Sequence, residues 1–112
     1  DARTCIVAPK APMPYPLFVY SDGGNAVSAG VVGGDFPGMD VAFRVDRLTA
    51  VIEKEGLSGA NANRIIQQVR TGGKRLLVRS YAWPKDVPDT KEFSLEGMVA
   101  ALDECKARLG RH

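Results

Sequence analysis

Cys5 and Cys105 stand almost at the two ends of a chain of 112 residues. Any fold this chain adopts must either bury two separate thiols or bring its first and last segments together. Two separate buried thiols would each pack as a small hydrophobe. The alternative is a disulfide, and the terminal placement favours it. Such a bridge would close a loop of about 100 residues, worth up to about 4.7 kcal/mol in the chain-entropy account. It would tie the first strand to the last helix, and it would suit a compartment outside the reducing cytosol.

The length fits one domain, residues 1–112, with room for one real core. The net charge of +2 is small and demands neither nucleic acid nor an anionic membrane. No stretch approaches the roughly 18 apolar residues of a membrane-spanning helix, so no integral membrane protein is expected. The chain opens on Asp1 without an initiator methionine, which reads as a trimmed or mature fragment and leaves room for a lost leader.

The first half has the period of strands. Thr4 to Ala8 is a short β-branched and apolar run, ended by Pro9. Pro9, Pro12, Pro14 and Pro16 make an extended connection poor in hydrogen-bond donors. Leu17-Phe18-Val19-Tyr20 is apolar on both faces, as a central strand is. Asp22-Gly23-Gly24-Asn25 supplies the backbone freedom of a tight hairpin, and Val27, Ala29 and Val31 alternate along the return. Gly33-Gly34 and Pro37-Gly38 mark the next reversal. Val41, Phe43 and Val45 then line one face, opposite Ala42, Arg44 and Asp46. Val51 and Ile52 make a short strand.

The period then changes. Ser58 is an N-cap candidate. Ala62, Ile65, Ile66 and Val69 form the apolar stripe of a helix over about 59–71, which Gly72-Gly73 ends. Lys74 to Trp83 reads as a strand, closed by Pro84 and Pro88. Ser94 is the second N-cap candidate. Leu95, Met98, Val99, Leu102, Cys105 and Leu109 share one face of a second helix over about 95–109. Phe93 joins the expected core. Strands first, then helix, strand and helix, make an antiparallel α+β pattern.

Several segments together carry a family resemblance. They are Phe43-Arg44-Val45-Asp46, the helix through Asn63 to Gln68, Gly73-Lys74-Arg75-Leu76-Leu77-Val78, and Glu92-Phe93-Ser94-Leu95-Glu96-Gly97 with its helix through Cys105. In this order they resemble the invasion-associated locus B family, secreted or periplasmic proteins of α-proteobacteria. The match covers roughly residues 41–105. The family's usual extra cysteine pair before the small helix is absent, which leaves Cys5 and Cys105 to pair. The resemblance implies an immunoglobulin-like antiparallel sandwich carrying two helices. It also implies an envelope or secreted location and no catalytic residues.

The residues offer little chemistry of their own. His112 is the only histidine and the last residue, so a histidine-based metal site or catalytic triad has nothing to build with. No metal or other cofactor is expected. Gly72-Gly73-Lys74 leaves a helix and enters a strand, the reverse of a phosphate-binding loop. Glu53, Glu55, Asp103 and Glu104 read as solvent-exposed charge rather than as a glycosidic acid pair. Arg44, Asp46 and Arg47 could form a ligand-binding ion pair. A solvated strand face, with Asp46 holding turn amides, is the favoured reading.

Arg79, Tyr81, Trp83 and Lys85 are the best binding candidates, with the loop from Pro84 to Thr90 beside them. Tyrosine, tryptophan and arginine are the usual anchors of protein interfaces. The alternative is that Tyr81 and Trp83 complete the core under the last helix. Arginine beside aromatic rings could also stack bases, but a net +2 supports nucleic acid thinly. The expectation is therefore a secreted or periplasmic, non-enzymatic protein that binds an envelope or host macromolecule. The competing expectation is a small intracellular nucleic-acid-binding or regulatory module, and free thiols would be its signature.

Overall fold

A computed structural model describes residues 4–21, 26–34, 37–82 and 87–110. Seven strands and two helices follow in order: β1 (Thr4–Val7), β2 (Tyr15–Ser21), β3 (Ala26–Val32), β4 (Asp40–Val45), β5 (Val51–Lys54), α1 (Gly59–Arg70), β6 (Arg75–Ser80), β7 (Asp89–Ser94) and α2 (Met98–Gly110). The fold is α+β. Its strands form two antiparallel sheets, β1-β2-β3 and β5-β4-β6-β7.

In the first sheet, β2 is central. Phe18 and Tyr20 are buried on its inner face, while Leu17 and Val19 on the other face are half-buried, so the run that reads apolar on both faces is sealed on one only. Residues 22–25, the expected hairpin turn, lie outside the described residues. Ser21 pairs with Ala26, so a hairpin does connect β2 to β3. Pro16 belongs to β2 and not to the connection before it. There β2 pairs only with β3, because β1 reaches no further along it than Phe18. One side of β2 thus needs no N–H donor at that point, and proline is tolerated.

The second sheet shows strict alternation. Val41, Phe43 and Val45 of β4 are buried, with Val51 of β5 and Leu76 and Val78 of β6 beside them. The edges of the two sheets meet where Ala29 and Leu57 exchange backbone hydrogen bonds of 2.9 and 2.7 Å. The rings of Phe18 and Phe43, one from each sheet, meet edge to face with centroids 6.0 Å apart. Helix α1 packs its buried stripe, Ala62, Ile65, Ile66 and Val69, against β3, β4 and β5. Helix α2 packs against β1 and β2.

The bridge between the chain's two ends is formed. Cys5 and Cys105 are disulfide-bonded with their Cα atoms 5.6 Å apart. Cys105 is buried, on the same helical face as Leu102 and Leu109.

Four local expectations need correction. The strand expected over Lys74–Trp83 ends at Ser80. A further strand, β7, pairs along β6 from Arg75↔Ser94 to Ser80↔Asp89, so Ser94 ends a strand and caps no helix. Helix α2 starts at Met98, three residues later than the stripe suggests. A turn through Glu96 and Gly97 intervenes, and Gly97 adopts a φ of 79° that glycine adopts freely. Val99 consequently leaves the apolar face and is 37% exposed, while Phe93, now on an edge strand, is half-buried. The other expected core residues, Leu95 and Leu102 included, are buried.

The first helix ends where expected. Thr71 and Gly73 donate backbone hydrogen bonds to Gln67 and Val69, and Gly72 takes the left-handed conformation with φ 102°. Its start differs in detail. Ser58 occupies the N-cap position but makes no side-chain cap bond, because its hydroxyl is engaged by Glu53.

Candidate docking face

The residues singled out from sequence fall into three groups. Arg79 is exposed on the outer face of the second sheet, and Tyr81, just past β6, is half-buried. Trp83 and Lys85 lie outside the described residues. Tyr81 is therefore neither a sealed core residue nor a fully presented one. Thr90, at the end of the expected binding loop, reaches the same outer face through β7.

Strand pleating decides what else lies there. With Val41, Phe43 and Val45 turned inward, β4 turns Asp40, Ala42 and Arg44 outward. The register then assembles rows across the sheet. Ile52 of β5 stands opposite Ala42, Ala42 opposite Arg79, and Arg79 opposite Thr90. In the next row Arg44 stands opposite Leu77, and Leu77 opposite Glu92. Of the residues in these rows, all but Glu92 line, together with Ala50, a shallow groove of about 300 Å³. Its floor is apolar because two alanines leave Ile52 and Leu77 uncovered. Ile52, on the edge strand β5, is 49% exposed.

The charges around the groove are unevenly satisfied. Arg75 lies 3.5 Å from Glu92 across β6 and β7. Lys54 is directly opposite Asp40 across β4 and β5. Arg44 and Arg79 have no carboxylate partner among the described residues. The face thus carries a residual positive charge at its centre, over apolar surface.

Arg44, Asp46 and Arg47 do not act together. The Asp46 carboxylate accepts the backbone N–H of Arg75 at 2.9 Å and that of Lys74 at 3.1 Å. It serves as a clamp on the entry to β6, close to the favoured expectation of a carboxylate holding turn amides. Glu53 is also structural. It accepts the Ser58 N–H at 2.9 Å, the Ser58 hydroxyl at 2.8 Å and the Asn61 amide at 3.0 Å. These bonds, the Ser58 N–H foremost, hold its carboxyl below the usual range. Asp103 pairs with Arg70 at 2.7 Å between the two helices, and Glu104 with Arg108 along α2.

A second shallow groove of about 270 Å³ runs between β1 and α2 over the disulfide, with Ile6 and Ala101 on its sides. Among the described residues no three of His, Cys, Asp and Glu gather as metal ligands, and no helix is long and apolar enough to cross a membrane.

The sequence signal for the docking face was partial. The alternation of basic and aromatic residues pointed to Arg79. Arg44 was marked only as part of a possible ion pair with Asp46 and Arg47, with a solvated strand face as the favoured reading, and Ala42 and Ile52 carried no mark. They become one surface only through the register of three strands. No known protein family, no curated protein and no solved structure matches the chain.

Proposed function

We propose that this protein works outside the cytosol, in the periplasm or secreted, as a non-enzymatic domain that binds another macromolecule of the envelope or of a host. The resemblance to the invasion-associated locus B family leads to this reading, and the pair of antiparallel sheets is in keeping with the sandwich that family implies. The Cys5–Cys105 disulfide supports the location, since reducing compartments keep such thiols apart. The observation that carries the binding role is the outer face of the second sheet, with exposed Ile52 beside half-buried Leu77 on its floor and two guanidinium groups without carboxylate partners among the described residues. Exposed apolar surface beside arginine is the composition of a protein interface.

The test has two parts. Thiol alkylation followed by intact mass, on protein taken directly from its native cells, should find no reactive thiol. The oxidised protein, bearing a photo-crosslinker at Thr90, should then capture a defined macromolecule from envelope extract. Free thiols together with recovery in the cytosolic fraction would instead favour the intracellular regulatory module.

A further inference from the structure

The charge pattern on the outer face says what kind of partner fits it. We infer that the groove over β4 and β6 receives an extended acidic segment of a partner protein, with two carboxylates on Arg44 and Arg79 and an apolar side chain on Ile52 and Leu77. This inference rests on the docking reading above and adds the chemistry of the ligand.

Register fixes the geometry. Ala42 is opposite Arg79 and Arg44 is opposite Leu77, so the two arginines are diagonal neighbours across β4 and β6. Diagonal positions in an antiparallel pair lie about 7–8 Å apart. In an extended chain, side chains two residues apart point the same way and are separated by about 6.6–6.8 Å. Carboxylates at alternate positions of an extended segment therefore match the arginine spacing. A helical ligand would offer a spacing of about 5–6 Å between neighbours three or four residues apart, a poorer match.

The charges select sign as well as spacing. The other cations on this face have acidic neighbours: Arg75 lies against Glu92, and Lys54 opposite Asp40. The two arginines at the groove remain uncompensated among the described residues. Guanidinium forks bind carboxylates in a bidentate manner and are less strongly hydrated than lysine, so they suit an interface that excludes water. The apolar floor favours a protein ligand over a nucleic-acid backbone. Ile52 and Leu77 offer aliphatic surface, whereas sequence-tolerant binding of single strands uses aromatic stacking platforms.

The experiment uses the oxidised full chain and a fluorescein-labelled peptide. The peptide carries glutamates at its second and fourth positions, leucine at its sixth and glycine between them. Anisotropy should report saturable binding. Replacing both glutamates by glutamine, or substituting Arg44→Glu with Arg79→Glu in the protein, should weaken it at least about tenfold. Salt at 1 M, where the screening length is about 3 Å, should do the same. Ile52→Ser should weaken binding and leave the salt dependence in place. All substituted side chains are exposed, and an unchanged melting curve checks that the variants fold.

Equal binding by wild type and the arginine variant would overturn the inference. So would a single-stranded oligonucleotide that binds more tightly than the peptide, or an absence of peptide binding. In that last case, capture of the same envelope partner by both wild type and the arginine variant would leave the broader docking role standing while removing this ligand from it. Loss of both would remove the docking role too.

Discussion

Glu53 carries its carboxylate from the end of β5 to the N-terminus of α1, where three donors meet it. The first turn of α1 contains no acidic residue, so Glu53 supplies from outside the helix the negative charge that its positive end favours. The folded-state pKa lies below the unfolded value. Stabilisation from this group is therefore complete above the ordinary carboxylate range and is lost as pH falls through the lower, folded value. Glu53→Gln should lower the melting temperature at neutral pH. The gap between variant and wild type should close once the pH drops well below about 4.3, the ordinary glutamate value. A gap that stays constant across an acid titration would show that the carboxylate's charge is not what matters. Asp46 shows a related economy at another junction. It adopts a positive φ of 50°, a conformation that Asp tolerates better than most residues, and in it the carboxylate faces the amides of Lys74 and Arg75.

At the scale of elements, α2 separates two residues that a helical wheel from Leu95 would treat alike. Leu102 is fully buried and Val99 is not. Leu102→Ala should cost about 2–5 kcal/mol through the cavity it leaves. Val99→Ala should stay within about 0.5 kcal/mol, as surface substitutions do. Urea denaturation of the two variants checks the face directly, and equal losses would mean that α2 is rotated. The same helix shows what the sequence could and could not reveal. Leu102, Cys105 and Leu109 repeat at helical spacing, so the element was legible. Its start was not, because Leu95 continues the stripe while Gly97 breaks the backbone. The strand β7 was illegible for a different reason. Asp89-Thr90-Lys91-Glu92-Phe93-Ser94 has one large apolar residue and no apolar alternation, as an edge strand kept charged against further pairing would have. The candidate face depends on that strand and on cross-strand register. Composition therefore pointed to Arg79, but only pairing could bring Arg44, Ala42 and Ile52 to it.

The whole molecule is closed by one covalent link between its ends. β1 has only four residues, pairs on one side with β2, and alternates between exposed and half-buried positions. Its other hold is α2, through Cys5 and Cys105. Most of the core comes from β2 to β6 and α1, to which α2 adds Leu102, Cys105 and Leu109. The contacts of Phe18 on Phe43, and of Ala29 hydrogen-bonded to Leu57, do not involve the bridged segments. Removing the bridge should act in two ways. It restores freedom to the unfolded chain across a sequence separation of 100 residues. It also lets β1 and α2 part locally before the rest of the fold opens. Cys5→Ala with Cys105→Ala should therefore lower stability by about 2–4 kcal/mol, less than the full chain-entropy value if the unfolded chain keeps structure. Hydrogen exchange should locate the change. Amides of β1 and α2 should lose protection first, while those of β4 and β6 keep the protection of the remaining global stability. Uniform loss across both sheets would mean that β1 and α2 are inseparable from the core. The bridge would then hold the whole fold together, and not only its ends.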